Sequence, residues 1–222
     1  MSAPSTTPLK VDIWSDVTCV WCHIGKRKFE TGRERFTSSS GIPVEVEYHS
    51  YQLDQNPPVE YGGRYAEYLT DVMNLTEQHV RDRFAMIDQV GEGLGLTFDW
   101  DRLQPALTLL AHQAIHFAKA HGKQSEMNDR LLAAYFEHGR DVGNLDELVD
   151  LAAEIGLDPD TIRHALTTEE YLPAVHADIA RAGQLGINSV PFFVIDEKYG
   201  VSGAQSPGIF ERALEQAAGD RP

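Results

Sequence analysis

The chain has 222 residues, of which 42% are hydrophobic and 24% charged, with a formal net charge of −15. That apolar content supplies a core without a disulfide framework or a structural metal. The negative charge repels phosphate backbones and anionic lipid, so neither nucleic acid nor membrane is an expected partner, and no apolar run approaches the roughly 18 residues of a membrane span.

In chain order, Met1 to Lys10 lacks the basic and apolar regions of a secretory signal, which makes the cytoplasm the expected location. Lys10 to Trp14 alternates and is β-rich, and predicts a first strand. Ser15 to Thr18 reads as a turn whose hydroxyls and the Asp16 carboxylate suit a helix cap, with a proton acceptor for Cys22 as the functional alternative for Asp16. The following helix is predicted from about Cys19 to Phe36, ending in Ser38-Ser39-Ser40-Gly41, and Pro43 to Ser50 alternates again as a second strand.

From Asn56-Pro57-Pro58 to about Gly186 the pattern is helical, with candidates at 65–73, 76–90, 105–121 and 124–138. Asn144 to Glu147 reads as a capping box opening a helix that stops at Gly156. Asp158-Pro159 gives an N-cap followed by proline at the first helical position. A last helix of the block is predicted from about Glu169 to Leu185. Pro191 to Ile195 then reads as a short strand, Asp196 to Lys198 as a turn, and Tyr199 to Ser202 as its hairpin partner. Ser206-Pro207 opens a final helix to about Ala218. The simplest account is one α/β domain, residues 9–56 and 187–220, split by a large all-helical insertion at 57–186, because the pieces alone are too small for separate cores.

The chain has two cysteines, both in Cys19-Val20-Trp21-Cys22. A disulfide across two intervening residues restrains little of the unfolded chain, so a stapling role is a poor explanation. A zinc site would need two further ligands at metal spacing, and none is present. His112 and His116 stand at i, i+4 but lack the glutamate of a zinc-protease helix, and read as helix-surface or satisfied core histidines. No metal is expected. A Cys-x-x-Cys at a strand-to-helix junction instead suits redox chemistry: free backbone N–H groups and the helix dipole stabilise a thiolate there. The first cysteine faces outward and attacks, while the second, shielded one, resolves the mixed disulfide. Cys19 is the expected nucleophile and Cys22 the resolver. Lys26 to Lys28 form a basic spot that reads as a solvated face, with attraction of an anionic thiol as the functional alternative.

The stretch from Ser15 to Lys26, together with Val190 to Ile195, Tyr199 to Pro207, Ala134 to Asp141 and Leu151 to Gly156, resembles the DsbA-like thioredoxin superfamily, and within it the cytoplasmic FrnE-type branch. The resemblance implies a thioredoxin-like fold with a helical insertion and dithiol–disulfide oxidoreductase or isomerase activity on protein or low-molecular-weight thiol substrates. No bound cofactor is implied; a low-molecular-weight thiol is the implied co-substrate. It also implies that Pro191 is cis against the cysteine pair, and that Val190 offers backbone groups to an extended substrate. The family usually has proline after the first cysteine and an aromatic residue after the second. Here Val20 and His23 stand in those places, so Val20, Trp21 and His23 are candidate tuning positions. Trp21 reads either as part of an exposed apolar rim around the thiols or as a packing residue. His23 reads either as a cation or proton relay beside the thiols or as a residue on the exposed helix face. The competing class is a thiol-dependent transferase or isomerase like kappa-class glutathione transferases and hydroxychromene-carboxylate isomerases. Those use a single nucleophile, so Cys22 speaks against that class. Oligomeric state has no signature in the sequence.

Overall fold

A computed structural model describes residues 7–54 and 63–221. Strand β1 (Leu9–Ser15) leads into helix α1 (Val20–Ser40) and strand β2 (Val44–Ser50). Among the described residues seven helices follow: α2 (Tyr65–Asp71), α3 (Glu77–Glu92), α4 (Leu109–Ala120), α5 (Gln124–His138), α6 (Leu145–Glu154), α7 (Pro159–Thr167) and α8 (Leu172–Gln184). Strands β3 (Phe192–Ile195) and β4 (Tyr199–Ser202) and helix α9 (Pro207–Gly219) close the chain. The sheet order is β2-β1-β3-β4, with β1 parallel to β2 and antiparallel to β3. The fold is therefore α/β with the helices of the insertion between β2 and β3. The expected boundary at 56/57, like Asn56-Pro57-Pro58, lies outside the described residues. Among the described residues no helix is long and apolar enough to cross a membrane.

Central position explains the composition of β1, which is covered on both faces. Leu9, Val11 and Ile13 point into the main core, while Asp12 and Trp14 are buried on the other face. Below the main face Phe29, Phe193 and Phe210 pack with ring centroids 4.6–5.5 Å apart. Burying one such ring contributes about 2–3 kcal/mol. Helices α1 and α9 meet at Gly32, where a Cβ would lie 2.6 Å from the Pro207 carbonyl oxygen. The apolar core runs on without a break into α4–α7. Behind β3, Arg221 pairs with Asp196 and donates to the Thr7 and Pro8 carbonyls at 2.7 Å, tying the C-terminal end to the start of β1.

Several helices depart from their predicted limits for local reasons. Helix α1 runs through the serines to Ser40, because Ser39 and Ser40 turn their hydroxyls back onto the Phe36 carbonyl and Gly41, at φ 73°, makes the stop. Helix α4 starts at Leu109 rather than Pro105: residues 103–108 form no regular element, and the Gln104 carbonyl is taken by the Tyr135 hydroxyl. Helix α8 starts at Leu172 because Glu169 has φ 54°, which no α-helix contains. Asn144 caps α6 by accepting from the Asp146 and Glu147 N–H groups.

On the second face of β1 a polar seam joins the sheet to the helices. His49 bonds Asp12 and Asp178, each at 2.8 Å, and stacks on Trp14 at 4.5 Å. Asp178, on α8, also accepts from the Ser50 N–H and lies 3.0 Å from His116 Nε2 on α4. Burial opposes a charge on His49, but the hydrogen bonds to the two carboxylates overcome it and raise its pKa to about 9. A raised folded pKa gives stability that is complete below the unfolded value, about 6.5, and fades as pH climbs through about 9. Urea unfolding should therefore show a loss on the order of 3 kcal/mol between pH 6.5 and 9.5 in the native chain. His49→Gln should flatten that slope; parallel losses in both proteins would exclude the seam as its source.

Candidate active site

Cys19 is the N-cap of α1, with extended backbone at φ −93° and ψ 106°. Its N–H donates to the Asp16 carbonyl at 3.1 Å, and its own carbonyl accepts from Cys22 at 2.9 Å and His23 at 3.3 Å. The helix thus starts directly after the first cysteine, whose sulfur lies at the positive end of the helix dipole. Cys22, in the first turn, points inward and is 2% exposed. Burial pushes its thiol well above the usual range; the contact with Cys19 pushes the same way, against hydrogen bonds from Ser15 and the Asp16 backbone. Cys22 is held as a thiol. Cys19 is itself only 6% exposed, more enclosed than an outward-facing nucleophile was expected to be.

The enclosure comes partly from the loop before β3. The Val190–Pro191 peptide is cis, and the Val190 carbonyl oxygen lies 3.7 Å from Cys19 Sγ. These groups are 171 residues apart in sequence and meet because β3 pairs with β1. Gly25 allows the approach. A Cβ there would lie 2.8 Å from Pro191 Cγ, closer than carbon atoms pack. The sequence marks Gly25 only as a glycine inside a helix, where it costs about 1 kcal/mol unless something must come close.

The structure separates the three tuning positions. Val20 and Trp21 are half-buried and line a cleft beside Cys19. His23 is not on an exposed face: it is 1% exposed, packed between Phe136 and Phe98 and 3.2 Å from Glu137. Burial lowers its pKa against the pull of Glu137, which favours the neutral ring and argues against a cation beside the thiols. Two other expectations are corrected. Lys26 is not solvated but 2% exposed, paired with Glu30 and with Asp129 of α5. Asp16 does not cap α1; its carboxylate accepts from the Leu53 N–H at 2.8 Å and lies 3.3 Å from His112. The tertiary fold recruits each of these polar groups to hold the insertion against α1. His112 and His116 are core histidines, both buried.

The cleft has a volume of about 520 Å³ and runs from Cys19 between α1 and the helices α2 and α3. An aromatic series forms its wall: Tyr65 stacks on Phe84 and Phe84 on Trp100 at 4.1 Å, with Phe98 stacked behind Trp100. Tyr65 and Arg83 also face it, and neither carried a signal in the sequence. Among the described residues, the one cluster with metal-ligand spacing is Asp12, Glu47 and His49, in the polar seam. Lys10 and Lys119 already supply positive charge to those carboxylates. The thiol site itself offers sulfur, a backbone carbonyl and an apolar cleft, a combination suited to exchange between sulfur atoms.

Residues 10–215 match the DSBA-like thioredoxin domain family. The crystal structure of a probable DsbA oxidoreductase from Streptomyces coelicolor superimposes with a TM-score of 0.87 at 32% identity, covering 96% of this chain and 92% of that one. The cytosolic disulfide reductase DsbM from Pseudomonas aeruginosa, solved with GSH, gives 0.66 at 19% identity, covering 93% and 98%. The uncharacterized protein YwbO of Bacillus subtilis (strain 168) is 29% identical over 206 residues, 92% of this chain and 94% of that protein.

The contact at Gly25 has a consequence for stability. Gly→Ala inside a helix normally gains up to about 1 kcal/mol, and Gly183 of α8, where an added methyl would meet nothing within 4 Å, should behave so. Gly25→Ala should instead lose about 1–3 kcal/mol through the collision with Pro191. Thermal unfolding of the two variants checks the contrast, and an equal gain in both would rule out a tight contact between α1 and the proline.

Proposed function

The chain belongs to the DSBA-like thioredoxin domain family, and from that premise we propose that it exchanges disulfides through Cys19 and Cys22, with Cys19 as the attacking sulfur. The observation that carries the reading is the inequality of the two thiols. Cys19 caps the helix and lines the cleft, whereas Cys22 is buried behind it as a protonated thiol. Only one of them is placed to meet a substrate.

In the forward direction the Cys19 thiolate attacks one sulfur of a substrate disulfide. A Cys19–substrate disulfide forms, the substrate S–S bond breaks, and the departing thiolate takes a proton. Cys22 then gives up its proton and attacks Cys19 Sγ, releasing the second substrate thiol and leaving a Cys19–Cys22 disulfide. Two electrons pass from the dithiol to the substrate; the reverse sequence oxidises a substrate dithiol. Protein and low-molecular-weight thiols are the proposed partners, and the cytoplasm the proposed compartment. The Val190 carbonyl, beside Cys19 Sγ, supports pairing with an extended polypeptide by strand addition. A buried second cysteine supports this reading over a single-nucleophile transferase or isomerase.

Mass spectrometry after mild oxidation should give an intramolecular Cys19–Cys22 bond. Cys19→Ser should abolish turnover of a protein disulfide such as insulin, and Cys22→Ser should accumulate a mixed disulfide on Cys19. Absence of the intramolecular bond, or full turnover by Cys22→Ser, would overturn the dithiol mechanism.

A further inference from the structure

The cleft beside Cys19 is larger and more apolar than thiol exchange alone requires. Its 520 Å³ falls within the range of about 300–1,000 Å³ typical of small-molecule sites. Neither Val190 nor Pro191 lines it. A molecule in the cleft therefore approaches Cys19 from a different side than a polypeptide lying along the Val190 loop. Tyr65, Phe84, Trp100 and Phe136 give it flat apolar walls suited to a ring.

Among the described residues, two charged side chains line the cleft, Asp54 and Arg83. The Tyr68 hydroxyl donates to Asp54 at 2.9 Å. Arg83 makes no ion pair among the described residues, whereas Arg81, on the same helix, is paired with Glu77 at 3.1 Å. Tyr65, Arg83 and Cys19 all line this one cleft, and burial raises the pKa of the Tyr65 hydroxyl. With a net charge of −15 the protein as a whole repels anions. An unpaired guanidinium facing the cleft is then a local selector, since it offers a carboxylate two parallel hydrogen bonds.

We propose that this cleft binds a low-molecular-weight disulfide, or the corresponding thiol, with an aromatic body and a carboxylate that pairs with Arg83. The inference rests on the exchange mechanism above and names the substrate class of its Cys19 site. The step balances as before: the reduced dithiol and one aromatic disulfide give the Cys19–Cys22 disulfide and two aromatic thiols. Arg83 is a specificity residue that holds the carboxylate, and Cys19 alone forms and breaks bonds to the substrate.

Two aromatic disulfides separate the possibilities: dithiobis(nitrobenzoate), which carries carboxylates, and dithiodipyridine, which is neutral. Each is mixed with the reduced full-length protein in stopped flow, and the release of coloured thiol is followed over a range of probe concentrations. Arg83→Ala should lower the second-order rate for the carboxylated probe on the order of tenfold, through weaker saturation rather than a slower maximal rate. Arg83→Lys should restore part of it. The dithiodipyridine rate should stay as in the native chain, and Arg81→Ala should change neither. Unchanged rates with both probes in Arg83→Ala, or equal losses with both, would overturn the assignment while leaving thiol exchange intact. If Cys19→Ser consumes both probes as fast as the native chain, the exchange reading itself fails.

Discussion

Everything at the thiol site depends on how closely the first turns of α1 lie against the Val190–Pro191 loop. Gly25 is the point of nearest approach, and a single methyl there would meet the proline ring at 2.8 Å. The loop is held by β3, whose register against β1 is fixed by Phe193 opposite Ile13 and Phe192 opposite Trp14. The helix is held from below by Phe29 against Phe193 and Phe210. Moving either element would separate Cys19 from the Val190 carbonyl and open a route for water to Cys22. Burial of the second thiol and position of the first thus follow from one packing constraint.

The helical insertion is built into the same constraint. Glu137 and Phe136 of α5 receive His23, Asp129 of the same helix receives Lys26, and Asp178 of α8 receives His49. His23, Lys26 and His49 are the buried ends of these contacts, whereas Asp129 and Glu137 are partly exposed, so removing the carboxylate partners of Lys26 leaves a buried charge unpaired, a cost on the order of several kcal/mol. These contacts fix the orientation of the insertion over α1. That orientation, in turn, sets the walls of the cleft on one side of Cys19 while the Val190 loop bounds the other.

Much of this was legible in the sequence where the governing physics is local. Thr76, Asn144 and Asp158 cap their helices, Pro207 opens α9, and the residues after Ile195 make a tight turn with positive φ at Asp196 and Glu197. The α/β class with a helical insertion and the cysteine pair at a helix start are likewise local patterns. What escaped was decided by contacts distant in sequence. His23 and Lys26 follow a motif that looks like an exposed helix start, and only the packing of α5 makes them interior. Asp16 has the chemistry of a cap, but a nearby loop N–H and His112 claim it first. Tyr65 and Arg83 lie on helices whose patterns give no hint that they face Cys19.

The strand order has a consequence for synthesis. β1 pairs with β3 through Val11 and Ile195, and Arg221 reaches back to Thr7 and Pro8. A ribosome makes the chain from the other end, so both cysteines emerge while the strand that completes their surroundings is still untranslated. Until then the growing polypeptide carries two thiols and no loop to face them. The reactive centre is assembled in the last stage of translation, and a message truncated before β3 yields the cysteines without the environment that makes them unequal.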